Sequence, residues 1–153
     1  MKYVSLFIFL FFTACIKESN TFSTTRFNNT TSHYISVDVY KWGGLVPQHS
    51  FFLTPGESKI VLSTSNGGIG NGIALGSMLM IMDSIKVVFD DLYRITHYKP
   101  SLTGTNPHNY PYHSPRNIFN DSSYTRVLKG DRKYRRECDF KYTFTQQDYL
   151  DAR

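Results

Sequence analysis

Apolar and polar residues alternate with a period of two through much of this chain, and that period marks half-buried strands. In His33–Lys41, Ile35, Val37 and Val39 share one face, while Ser36 and Asp38 share the other. Lys41-Trp42-Gly43-Gly44 then breaks the pattern. Ser50–Leu53 reads as a second short strand. It is stopped by Thr54-Pro55-Gly56-Glu57, where Pro presets φ and Gly supplies a positive φ. Ser58–Ser63 is the third strand. Ser84–Phe89 and Tyr93–Tyr98 form a hairpin around Asp90-Asp91-Leu92. A three-residue loop sets Phe89 opposite Tyr93, Val87 opposite Ile95 and Ile85 opposite His97, which gathers apolar side chains on one face. A two-residue loop would set Val87 against Arg94 and scatter them.

A second hairpin is expected from Ser122–Leu128 and Arg132–Phe144 around Lys129-Gly130-Asp131. Its last strand carries the clearest alternation: Tyr134, Cys138, Phe140, Tyr142 and Phe144 on one side, Arg135, Glu137, Asp139, Lys141 and Thr143 on the other. Thr145 and Asp148 have the spacing of an N-cap and predict a short helix to about residue 152. Ser65–Gly72 reads as a glycine-rich loop, and Ile73–Met82 as a buried strand or a short helix. Lys99–Asn117 holds four of the six prolines and reads as a long irregular segment, a kind of connection that is often functional. Short strands with regular turn signals predict an all-β, antiparallel β-sandwich, with an immunoglobulin-like arrangement as its specific form, closed by the C-terminal helix. Tyr and Phe dominate an aromatic content of 16%, which suits strands more than helices.

The N-terminus follows a different pattern. Lys2 precedes an almost wholly apolar run, Val4–Phe12, too short to span a bilayer and of the length of a signal-peptide core. Small residues Thr13 and Ala14 come next, then Cys15. The Phe12-Thr13-Ala14-Cys15 stretch resembles the lipobox of bacterial lipoproteins. That resemblance implies a signal peptide over 1–14, removed before a Cys15 that carries diacylglyceryl and N-acyl chains. Two or three chains give a stable anchor, since each buried CH₂ contributes ~0.8 kcal/mol. Residues 15–26 then read as the lipidated cysteine and a flexible Ser/Thr/Asn-rich tether, with one domain over 27–153 and order beginning near Phe27. The pair Lys17-Glu18 resembles a short form of the surface-export signal of Bacteroidota lipoproteins. The layout Ile35–Tyr40, Phe51–Glu57, Asp83–Asp91 and Tyr142–Thr145 is similar to that of small envelope lipoproteins of the same group, which implies a β-rich envelope domain and no particular activity. The anchor is expected in the outer membrane, on either its surface or its periplasmic face.

Charge and cysteines exclude several classes. The formal charge of +5, or +4 once the segment bearing Lys2 is gone, is spread along the chain and does not form a nucleic-acid-binding tail. With Cys15 lipidated, Cys138 has no partner for an internal disulfide, and it falls on an apolar face that favours a buried, inert thiol. The Gly67–Gly72 run lacks the Lys-Ser/Thr of a phosphate-binding loop. His97, His108 and His113 show no metal-ligand spacing, and no cofactor is expected. Lys129, Arg132, Lys133, Arg135 and Arg136 make a basic stretch that could meet headgroups or acidic glycan, but alternation with acids reads as a solvated strand face.

The candidate binding loop is His108, Tyr110, Tyr112, His113 and Arg116, an aromatic and polar cluster suited to stacking on a sugar or gripping a protein. Asp83-Ser84-Ile85 resembles the Asp-Ser/Thr-apolar sequence that Bacteroidota use for O-glycosylation, which makes Ser84 a candidate acceptor. No nucleophile motif is present. The chain therefore reads as a membrane-anchored envelope lipoprotein with a non-enzymatic binding, accessory or structural role and an unidentified protein or glycan partner. The alternative is a small envelope enzyme acting on glycan or peptide, which would need converging acids, bases or a metal in a cleft.

Overall fold

A computed structural model of the protein describes residues 19–68, 81–102, 104, 106–132 and 135–153. The lipobox with Cys15, the Lys17-Glu18 pair, the later half of the glycine-rich run and most of Ile73–Met82 lie outside the described residues. Among the described residues, ten strands build two sheets. The first has the order β5–β1–β10–β9, from β1 (Ser19–Asn29), β5 (Ser58–Gly68), β9 (Thr125–Arg132) and β10 (Arg135–Phe144). The second has the order β3–β2–β6–β7–β8, from β2 (Ile35–Lys41), β3 (Gly44–Leu45), β6 (Ser84–Phe89), β7 (Tyr93–Tyr98) and β8 (Asn109–Tyr110). There, β4 (Phe51–Leu53) also pairs with β2.

The sheets face one another across an aromatic core. Phe27 of β1 lies 5.3 Å from Phe51 of the opposite sheet, and also packs on Tyr142, Phe144 and Tyr124. Ile35, Val37 and Val39 from β2, and Ile85, Val87 and Phe89 from β6, fill the other half. The β6–β7 hairpin has the register the alternation requires: Phe89 opposite Tyr93, Val87 opposite Ile95, Ile85 opposite His97. Its three-residue loop places Asp90 and Asp91 at φ of 50° and 59°, a region Asp tolerates better than most residues. The helix α1 (Gln146–Ala152) starts at Thr145, whose N–H donates to Asp148 Oδ2 at 2.7 Å. Tyr149 of this helix packs edge-on against Phe89 and Tyr93 and stacks on His33 at 3.8 Å.

Three expectations are corrected. The Ser19–Arg26 stretch is not a flexible tether: it belongs to β1, which sits inside the first sheet, antiparallel to β5 and parallel to β10. Its buried face is Thr21, Ser23 and Thr25, followed by Phe27. Hydroxyl side chains fill that face and bond across it, as Ser23 Oγ does with Thr64 Oγ1 at 2.6 Å, so no apolar alternation announces the strand. This pairing, and the parallel contact of β7 with β8, make both sheets mixed and not purely antiparallel. Second, Lys129-Gly130-Asp131 does not turn the chain but lies within β9. The register jumps from Glu137–Gly130 to Cys138–Leu128, so Lys129 is the extra residue of a bulge. Third, β5 extends past Ser63 to Gly68, taking the start of the glycine-rich run into the sheet.

Because β1 is an interior strand, a chain beginning at Ser19 should retain cooperative thermal unfolding by circular dichroism. One beginning at Phe27 should not. Truncating Phe27 to Ala in the intact domain should cost about 3–5 kcal/mol in urea denaturation.

Candidate functional site

The long segment 99–117 is held down by side chains that replace regular secondary structure. Asn117 is fully buried. Its Nδ2 donates to Tyr110 O at 2.7 Å and Tyr98 O at 3.1 Å, and its Oδ1 accepts from Phe119 N–H at 2.8 Å. Asn120 does the same for the following turn, donating to Tyr112 O and Ser114 O. A buried amide must satisfy donors and acceptors together, so each Asn fixes several backbone groups at once.

Three of the candidate binding-loop residues serve the fold. Arg116 reaches the buried carboxylate of Asp148 in bidentate fashion, Nε to Oδ1 at 3.0 Å and Nη2 to Oδ2, and also bonds Thr143 O. The Tyr110 hydroxyl donates to Asp151 Oδ2 at 2.5 Å and to Asp148 Oδ1 at 3.2 Å. Burial, and then the bond to Asp151, hold the Tyr110 phenol protonated far above its ordinary range. His108 Nδ1 is 3.0 Å from Asp151 O. Asp148 and Asp151 thus converge on one phenol, but their oxygens are taken up in fastening α1 to the loop.

His97 lies beneath this network, 1% exposed and against the rings of Tyr110 and Tyr142. Its Nδ1 accepts from Ile118 N–H at 3.1 Å, which leaves the ring proton on Nε2. Among the described residues that nitrogen has no hydrogen-bond partner. Burial, reinforced by the Arg116 charge, lowers the His97 pKa to about 3.

The other two loop residues, Tyr112 and His113, do line a cleft. They join Tyr98, Pro100, Leu102 and Pro111 around a mostly apolar hollow of about 280 Å³. Gly104 closes one side so tightly against the Tyr98 ring that a Cβ there would collide with it. Tyr98 also bounds a second hollow of about 360 Å³ on the outer face of the second sheet, with Tyr40, Ser84, Lys86, Arg94, Thr96 and Asn106. The candidate acceptor Ser84 is therefore half-buried on the floor of that hollow. Sequence reasoning missed this second site because its residues are the polar half of alternating strands, a half that reads as plain solvated surface.

Elsewhere, Cys138 is buried and free, its sulfur accepting from Arg126 Nε at 3.3 Å. Among the described residues no group of three His, Cys, Asp or Glu side chains is placed to hold a metal ion. Comparison of the chain with family models, curated proteins and solved structures returned no match.

Replacing Arg116 with Met should leave the Asp148 carboxylate buried without its counter-charge and lower stability by about 3–5 kcal/mol, read by urea denaturation. His97 adds a pH dependence. Unfolded, it takes up a proton below about 6.5; folded, not until about 3. The unfolded state therefore binds more protons between those values, and stability falls as pH drops through the window, by up to about 1.4 kcal/mol per pH unit. Subtracting the pH profile of a His97→Phe variant from that of the wild type should isolate this slope.

Proposed function

We propose that the protein is a lipid-anchored envelope module with a non-enzymatic binding role, tethered through Cys15 and presenting the cleft at Tyr98, Pro111, Tyr112 and His113 to its partner. The cleft carries the reading. It is small and largely apolar, edged by aromatic rings and a histidine, which is the composition of a recognition site. The buried Asp148 and Asn117 networks hold its rim, so the rings are set in place before a ligand arrives, and preorganisation of this kind lowers the ordering cost of binding.

Two features support the anchor. The Phe12-Thr13-Ala14-Cys15 stretch has the residue types that lipidation chemistry needs. The first strand starts at Ser19, and its opening residues pair with the cationic start of β10, Asn20 with Arg135 and Thr21 with Arg136. Four residues of chain span at most roughly 14 Å. Acyl chains on Cys15 would then hold that basic hairpin end near the headgroups, where each cation adds to attraction for anionic lipid.

Metabolic labelling with an alkyne fatty acid, followed by fractionation, tests the anchor. The wild type should be labelled and sediment with membranes. Cys15→Ser should lose the label and the membrane association, and an unlabelled, soluble wild type would refute the reading. Probing intact cells and purified protein against glycan and envelope-protein arrays tests the cleft. Tyr112→Ala should weaken capture with the fold retained, and capture indifferent to Tyr112 would rule the cleft out.

A further inference from the structure

The hollow on the outer face of the second sheet has its own chemistry. Strand register puts Tyr40, Ser84 and Tyr98 in one cross-strand row and Lys86 beside Thr96 in the next. The two tyrosines sit two strands apart, roughly 10 Å between backbones, with the small Ser84 between them. Ser84 leaves a low floor between them, and Lys86 Nζ lies over the Tyr40 ring, 4.9 Å from its centroid. Lys86 Nζ rises from that floor to the Tyr40 hydroxyl at 3.1 Å, and Asn106 Nδ2 donates to Thr96 Oγ1 at 3.1 Å. Arg94 stands at the rim. Among the described residues neither Lys86 nor Arg94 is ion-paired, although Asp38 lies next to Lys86 in register.

We infer that this trough binds an anionic saccharide, as a subsite next to the cleft proposed above and resting on that binding-module reading. Two cations without carboxylate partners give the trough a positive charge to be met by a ligand carboxylate, sulfate or phosphate, and Arg94 can hold such a group with a planar fork of donors. The serine, threonine and asparagine offer mixed donors and acceptors that match ring hydroxyls. The Tyr98 ring, which lines the hollow, offers flat apolar surface to the C–H face of a sugar, while Tyr40 holds Lys86 Nζ over its ring. An extended acidic peptide is a poorer fit. Peptides are captured by free strand edges, and here β6 is paired on both sides, β3 and β4 pair with β2 opposite β6, and β8 covers β7 at Thr96 and His97. Tyr98 serves both hollows, so a longer glycan would seat its charged unit in the trough and its neighbour against Tyr112 and Pro111.

Titration of the mature chain, followed by calorimetry and amide NMR, uses trigalacturonate, its methyl ester, a sulfated heparin disaccharide and poly-glutamate. Binding of trigalacturonate or the heparin disaccharide, with shifts centred on residues 84–86 and 94–98, supports the inference; which one binds tells carboxylate from sulfate recognition. The joint Lys86→Gln and Arg94→Gln variant should weaken it by roughly tenfold or more, since bonds to charged groups are the stronger ones. Lys86→Arg with Arg94→Lys should keep most of it, and Tyr40→Ala should weaken it with the circular dichroism spectrum unchanged. Equal binding of the methyl ester, no anionic sugar bound at millimolar concentration, or equal binding of poly-glutamate would overturn the inference. If the charge-removed variant loses nothing while Tyr112→Ala abolishes capture, the trough is refuted and the binding-module reading stands.

Discussion

The carboxylate of Asp148 is the point on which the C-terminal helix and the loop bearing Tyr110 and Arg116 both depend. Almost no solvent reaches it, yet it meets the Arg116 guanidinium, the Tyr110 hydroxyl, and the backbone N–H and hydroxyl of Thr145. A charge taken out of water is tolerated only when its lone pairs are met this completely. Its partners come from two places in the chain: the long loop, which supplies Tyr110 and Arg116, and Thr145, where β10 hands over to α1. Satisfying one carboxylate therefore docks the helix, ends the last strand and pins the loop whose tip bears Tyr112 and His113.

A second constraint is how the chain closes. The strand β1 lies between β5 and the last strand β10, so the first sheet is complete only when both ends of the domain are in place. Phe27 and Tyr142 are partners in the parallel ladder, and both rings turn into the aromatic core that joins the two sheets. Contacts between distant parts of the sequence dominate such a topology, which favours a cooperative unit over independently stable pieces. Asn29 reinforces the closure, donating to His33 O at 2.7 Å and accepting from Thr31 N–H at 2.9 Å where β1 hands over to β2.

The two hollows meet at Tyr98. On one side its ring packs so closely to Gly104 that no larger residue fits, and there it helps form the apolar cleft. It also lines the trough over Ser84 and Lys86. At the same edge of the sheet, the turn after β2 exposes Trp42 to 87% of its surface in a left-handed conformation, with φ of 51°. The Asp83 carboxylate accepts from the Trp42 N–H, and Lys41 Nζ lies 4.4 Å from the Trp42 ring centroid. Asp83 also pairs with Lys99 at 2.7 Å, a bond that lowers its pKa and ties this turn to the start of the loop.

The sequence by itself determined those elements whose burial is written in apolar periodicity or local turn chemistry. The β6–β7 register follows from matching apolar faces across a three-residue loop, and the N-cap of α1 from Thr145 and Asp148 alone. Tertiary structure decided the rest because the information there is not local. β1 buries threonines and serines, so nothing in its hydropathy separates it from a tether. Gly130 looks like a turn but is drawn into β9 by the pairing of β10 on either side of a bulge. His108, Tyr110 and Arg116 look like ligand contacts until the fold brings Asp148 and Asp151 to them. Lys86 and Arg94 look like solvated surface until the strand register lays them beside Tyr40 and Tyr98. A polar side chain carries the same signal in sequence whether it faces water, a buried partner or a ligand, and only the folded chain sets which of these it meets.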